Sequence, residues 1–217
     1  MSHPMFERHR ELLSKAVSAI DARSYWSAYP DSYKAYGDNA IDAGREAFEA
    51  YRGAQFYLDQ PGVIGRGGDE ISPYGLPLNI SYPRCSDDAL IAAAKTAMLG
   101  WSKASSDTRA GVLIEALHRL NLASPEMAQA AMHTTGQAFT LAFQMAGPHA
   151  QERGLEAIAT AWREMKHIPS AVRWERVNTT HPNTAPQSVI EKKFSIAPRG
   201  VALVIGCSTL PNWSAYP

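Results

Sequence analysis

Five consecutive apolar residues constrain this chain more than any other stretch. Val201-Ala202-Leu203-Val204-Ile205 follows the breaker run Ala197-Pro198-Arg199-Gly200 and gives way to Gly206-Cys207-Ser208-Thr209, with Pro211 just beyond. A strand apolar at every position has both faces buried, as in a parallel sheet covered by helices. A loop leaving the carboxyl end of such a strand is where open α/β sheets bind ligands. One strand of this kind satisfies neither its backbone groups nor its two apolar faces. The 217-residue sequence shows no second strand after it. It therefore reads as the leading part of a larger enzyme, stopping at the entrance to a nucleotide-binding domain.

Most of what precedes is patterned for helices. Residues 4–23 carry Leu12, Leu13, Ala16, Val17 and Ile20 at helical spacing, with Pro4 suited to a first turn. The Tyr-rich tract SYWSAYPDSYKAYG (24–37) reads as a packed, aromatic-anchored connection, the rival reading being a binding surface. Asp38 is an N-cap type opening a helix to about Arg52. Gly65-Arg66-Gly67-Gly68 resembles a phosphate cradle superficially, but it lacks a preceding buried strand and a Lys-Ser/Thr ending, and reads as a flexible loop. Residues 78–82 alternate, suggesting a short edge strand stopped by Pro83.

From Ser86 the helical pattern returns. Ser86 is the expected cap, Asp87 and Asp88 suit the positive helix end, and Leu90, Ala94, Ala97, Met98 and Trp101 share one face. Ser105 or Ser106 opens the next helix, with Leu113, Leu117 and Leu120 on its stripe, and Ser124-Pro125-Glu126 opens another, reaching about Met132. A tract over 138–166 is predicted helical but kinked or split at Gly147-Pro148. After Pro169, residues 172–177 and 189–196 form two extended runs around the polar stretch NTTHPNTAPQS, a hairpin that needs a further partner to be stable.

Composition excludes several functions. The 21 basic and 21 acidic side chains balance, and no basic tract marks a nucleic-acid or anionic-membrane surface. Glu7, Arg8, His9 and Arg10 occupy the place of a signal-peptide core, and no apolar run approaches the ~20 residues that span a bilayer. Two cysteines, Cys85 and Cys207, fit a reducing compartment better than a disulfide scaffold. These features together point to a soluble, cytoplasmic protein. No spacing of His, Cys and acidic residues suggests a metal site.

The strings MSHPMFERHRELL, SPYG, MHTTGQAF, AGPHAQERGLEA and PRGVALVIGC, in this order along the chain, resemble the amino-terminal portion of the aldehyde dehydrogenase superfamily, and within it the PaaN-type proteins of phenylacetic acid degradation. The resemblance covers nearly the whole chain and implies an α/β aldehyde dehydrogenase-like fold. It divides the chain into an amino-terminal helical and loop region (1–85), a helical part of the cofactor-binding domain (86–169), an oligomerisation hairpin (170–197), and the first strand and loop of the nucleotide-binding sheet (198–217). It implies NAD- or NADP-dependent oxidation of an aldehyde to an acid, the substrate being a CoA-bound ring-opening product, and a homo-oligomer formed through 170–197. In such enzymes a cysteine attacks the aldehyde as a thiolate, and an asparagine carboxamide with a backbone N–H holds the oxyanion.

The resemblance places the nucleophile, the general-base glutamate and the phosphate-binding turn beyond Pro217, so the 217 residues alone are expected to be inactive. It places Ile205, Gly206 and Cys207 at cofactor-lining positions and Ser208 where the oxyanion asparagine is expected, with Asn212 as the alternative. Cys207 is thus read as a small cofactor-lining or packing residue rather than the nucleophile. His133 and His149 have no evident carboxylate partner and read as surface or satisfied helix histidines rather than acid–base groups. The helix start explains the adjacent Asp87 and Asp88 without a catalytic carboxylate pair. The competing function is a non-catalytic helical interaction or dimerisation module.

Overall fold

The computed structural model describes residues 3–177, 179–181, 188–197 and 199–217. Helix α1 (Pro4–Ala22) starts where Pro4 occupies the first turn and the His3 imidazole accepts the Met5 N–H. It ends at Arg23 in the left-handed conformation. A 3₁₀ turn (Tyr33–Tyr36) leads to α2 (Ala40–Glu49), whose N-cap position is Asn39 rather than Asp38. Strands β1 (Val63–Gly67) and β2 (Tyr82–Cys85) pair antiparallel. Next come α3 (Asp87–Trp101), α4 (Ser106–Leu122), α5 (Ser124–Thr135), α6 (Phe139–Ala146) and α7 (Pro148–Lys166). Strands β3 (Ala171–Arg176) and β4 (Ser188–Lys193) form a second antiparallel pair, and the short α8 (Pro211–Ala215) closes the described chain.

The main core lies where α1, α4 and α7 meet. Phe6, Leu13, Ala110, Ile114, Leu117, Leu155 and Ala159 are buried together there, with Trp26, Ile158 and Trp162 packed at the margin. Each large side chain so buried contributes about 1.5–3 kcal/mol. The close approach of α1 to α4 depends on Gly111, because a Cβ there would lie 2.5 Å from the Phe6 amide nitrogen. Beside it, Glu115 of α4 is almost fully buried and accepts from His9 (2.8 Å), Arg8 (2.8 Å) and Arg119 (3.0 Å). The His9 hydrogen bond first, then Arg119, pulls its carboxyl down to about 2. A second core joins Phe48 to Leu78 and Ile80.

Several expectations from sequence change. The Gly65–Gly68 tract is not a plain loop: β1 includes Gly65, Arg66 and Gly67 with a bulge after Val63, and Arg66 Nη2 donates to the carbonyls of Phe56 (2.7 Å) and Ser81 (2.6 Å). The strand expected over 78–82 starts only at Tyr82 and contains Pro83; a two-stranded sheet leaves each strand one unpaired edge, where a missing N–H is tolerated. Leu113 is 44% exposed, since Ala110, Ile114 and Leu117 face the core instead. On α3 no side chain is fully buried, and Ala97 and Trp101 lie open to solvent. The tract 138–166, by contrast, is split at Gly147-Pro148 as one of its two expected outcomes, with Gly147 between α6 and α7.

The run 201–205 forms no strand among the described residues. Nothing there offers it a ladder partner, and Leu203 and Ile205 are 85% and 80% exposed. The β3–β4 hairpin forms as expected, exposed along both strands; residues 178 and 182–187 of the expected excursion lie outside the described residues. No described helix is long and apolar enough to cross a membrane.

Candidate functional site

The loop after residues 201–205 is built around one thiol. Gly206 is required because the chain folds back on itself: a Cβ there would stand 2.8 Å from the Pro211 carbonyl oxygen. The Cys207 N–H then donates to Ser214 Oγ (3.1 Å), whose one proton is shared between the Leu210 carbonyl (3.0 Å) one turn earlier and the Cys207 sulfur. The Leu210 N–H points at Cys207 Sγ (3.3 Å), with Thr209 Oγ1 at 3.5 Å and Ser214 Oγ at 3.7 Å. Donors converging on sulfur favour the thiolate. The thiol is lowered to about 7, by Thr209 first, then the Leu210 N–H, then Ser214, and no charged side chain contributes.

Three contacts fasten this loop to the helices. Gln137 Nε2 donates to the Thr209 carbonyl (2.8 Å). Asn212 Nδ2 donates to the Ala146 carbonyl at the end of α6 (2.9 Å). Trp213 meets the His149 ring edge-on at 6.3 Å, with the Arg153 guanidinium 6.0 Å from its own ring centre. Beside Trp213 opens a groove of about 600 Å³, whose walls include Tyr25, Trp26, His149 and Arg153. The Glu152 carboxylate shapes its rim by accepting from Ser27 Oγ (2.7 Å) and the Tyr29 N–H (2.8 Å). The aromatic tract 24–37 is therefore both a pinned connection and one wall of a groove.

The four residues singled out by sequence stand in one exposed stretch. Ile205, Gly206, Cys207 and Ser208 are all open to solvent. The Asn212 carboxamide is committed to Ala146, so of the two candidates for the oxyanion donor only Ser208 keeps its side chain clear of the helices.

His133 has a complete structural explanation. Its Nδ1 lies 2.9 Å from Ser72 Oγ, its ring stacks on Phe48 at 4.9 Å, and burial pushes its pKa down. His149 faces Trp213. Asp87 and Asp88 occupy the first turn of α3. Cys85 and Cys207 are both free thiols, and no cluster able to hold a metal ion occurs among the described residues. Sequence reading missed Gln137 and Trp213, since Gln137 meets Thr209 across 72 residues and no local pattern encodes such a pairing.

Over its whole length the chain is similar to the crystal structure of an NAD-dependent aldehyde dehydrogenase from Burkholderia multivorans, at 45% sequence identity and a TM-score of 0.93. The fold is that of the amino-terminal part of an aldehyde dehydrogenase. The chain covers 38% of that enzyme's length. No family model and no curated protein matches it.

Proposed function

We propose that this chain is the amino-terminal part of an NAD- or NADP-dependent aldehyde dehydrogenase that oxidises an aldehyde to its acid through a cysteine thiohemiacetal. The observation that carries the proposal is 45% identity, maintained over the whole chain at a TM-score of 0.93, to an NAD-dependent aldehyde dehydrogenase. Within this reading we assign the finer specificity to a CoA-linked aldehyde from aromatic-ring opening, on the strings shared with PaaN-type proteins, and the setting to the cytoplasm. Residues 1–85 and 86–169 supply the helical parts of the enzyme, 170–197 the oligomerisation hairpin, and 198–217 the entry into the nucleotide-binding sheet.

The residues present fit a dinucleotide's reactive end as one wall of its site. Residues 205–207 lie side by side at the surface, and Gly206 adds no side chain there because Pro211 occupies the place of a Cβ. When bound, the oxidised nicotinamide accepts the hydride from the substrate carbon. This chain's own share is to orient and to stabilise. Ile205, Gly206 and Cys207 line the ring, and the Ser208 hydroxyl donates to the oxygen that becomes anionic when the nucleophile adds. A hydroxyl reaches less far than a carboxamide, so the substrate oxygen must sit closer to this loop than an asparagine would require.

The test is to express the reading frame through its own stop codon and follow nicotinamide reduction with free and CoA-linked aldehydes. We expect oxidation with preference for the CoA-linked substrate, and none from residues 1–217 alone. Turnover by the isolated 217-residue chain, or a complete product that oxidises no aldehyde, would overturn the reading. The second reading, a non-catalytic dimerisation module, draws on the exposed apolar side chains of the β3–β4 hairpin, Trp174 (54%) and Ile190 (43%) among them.

A further inference from the structure

Two strings prominent in the sequence, residues 72–75 (Ser-Pro-Tyr-Gly) and 133–137 (His-Thr-Thr-Gly-Gln), meet at one corner of the fold. Ser72, buried to 2% exposure, contacts His133 and also accepts the Tyr74 N–H at 3.2 Å, which shapes the turn. The turn aims the Tyr74 hydroxyl at the end of α5, where it donates to the carbonyls of Gln137 (2.8 Å) and Gly136 (3.4 Å). Gly136 is the left-handed C-cap that turns the chain out of α5, and the Gln137 N–H bonds back to Thr135 Oγ1 (3.3 Å). The Gln137 backbone is thereby held on both sides.

From this fixed base the Gln137 carboxamide crosses to the Thr209 carbonyl at 2.8 Å. Thr209 in turn places its hydroxyl against Cys207 Sγ. Ordering a glutamine side chain in the open costs rotamer freedom. A base already held on both sides leaves only the side chain to be ordered when the bond forms.

We propose that the Tyr74–Gln137 corner is a brace for the 206–210 loop, in which Gln137 positions Thr209 and, through it, Cys207 and Ser208. Tyr74 and Gln137 are positioning residues: neither lies in the stretch assigned to cofactor or oxyanion. The catalytic meaning of the brace rests on the proposed role of residues 205–208, but its geometry does not.

Because the thiol senses the position of Thr209, the brace is readable without any activity assay. In the 217-residue chain carrying Cys85→Ser, Cys207 is the single thiol, and its iodoacetamide alkylation rate against pH reports its ionisation. The unaltered loop should show a midpoint near 7. Gln137→Met, which keeps the volume and removes the donor, should move the midpoint by about half a unit toward the ordinary ~8.5, an approximately twofold slower reaction at pH 7. Tyr74→Phe should shift it the same way, and the double variant no further than Gln137→Met alone, because the two act in series. Thr209→Val is the positive control. Melting temperatures taken on the same samples separate the loop from the fold as a whole. A Gln137→Met midpoint equal to that of the parent, whatever its melting temperature, refutes the brace, and so do additive Tyr74 and Gln137 effects. Failure of the dehydrogenase reading would appear only in the turnover assay and would leave this result standing.

Discussion

Replacing glycine by alanine at two helical positions should move stability in opposite directions. At Gly111 on α4, a Cβ would stand 2.5 Å from the Phe6 nitrogen and 2.7 Å from the Phe6 Cα. Non-bonded heavy atoms settle at ~3.5–4 Å, so the start of α1 must retreat by about 1 Å. Both obstructing atoms are backbone, and no rotamer change relieves them. The retreat loosens the packing of Phe6, Leu13 and Ile114. Overpacking of this kind costs about 1–3 kcal/mol, against a helix-propensity gain of roughly 1 kcal/mol for alanine. With no side-chain escape the upper part of the range applies, and the net loss is about 1–2 kcal/mol. At Gly100, near the end of α3, nothing lies within 4 Å of the added methyl group. Propensity acts alone there and stabilises by roughly 0.5 kcal/mol. For a chain of this size the melting temperature moves about 2–4 °C per kcal/mol, so Gly111→Ala should melt about 2–8 °C lower and Gly100→Ala about 1–2 °C higher. Far-UV circular dichroism melts of the two variants against the unaltered chain decide it. A Gly111→Ala protein melting at or above the parent would refute the close helix approach.

Single contacts carry further expectations. The folded pKa of Glu115 is about 2, below its ordinary value of 4.5; its stabilisation is fully present above about pH 4.5 and is lost as pH falls toward 2. Acid melts should therefore show a loss over that window that Glu115→Gln, already deprived of the charge, does not repeat; parallel acid limbs would exclude Glu115 as the cause. Removing the Glu152 carboxylate leaves the Ala28 and Tyr29 amides without their acceptor, at about 1–3 kcal/mol for each group that stays unsatisfied. Glu152→Ala should accordingly speed chymotrypsin cleavage after the 93%-exposed Tyr25, and unchanged cleavage would disprove the pinning role. If the β3–β4 hairpin joins subunits, Trp174→Glu should convert an oligomer to monomer in sedimentation velocity; a monomeric parent chain would rule the interface out.

The helices were legible because their signals are local. Ser105 accepts the Thr108 N–H as the cap its position suggests, Pro125 and Pro148 sit in first turns, and the split between α6 and α7 arises from Gly147-Pro148 alone. The small β1–β2 sheet was not legible because its determinants are distant. Gly65 and Gly67 read as loop residues until Arg84 and Tyr82 supply a pairing strand, and Arg66 gains its role from carbonyls at Phe56 and Ser81. The faces of α3 and α4 were assigned from spacing, which fixes which residues share a side but not which side meets a neighbour. Leu113 and Trp101 both fall on that distinction.

The candidate site divides along the same line. The apolar run 201–205 carries the pattern of a strand covered on both faces, since only burial on both faces rewards five consecutive apolar side chains. The described residues offer those faces no cover, so Leu203 and Ile205 stand exposed while the pattern that marks them for burial is intact. The loop beyond the run depends far less on such cover. Ser214 closes the turn, Asn212 is committed to α6, and Gln137 holds Thr209, so this loop is shaped by contacts within the 217 residues. Ser208 is then exposed because its neighbours on both sides are tied, and not because the segment lacks structure. A fastened loop holds its backbone in place before a ligand arrives, which is what the proposed oxyanion role of Ser208 would call for. The proposed site and its proposed support thus lie at different distances in the sequence: the family resemblance nominates the serine, but no local pattern nominates the glutamine that meets Thr209 across 72 residues.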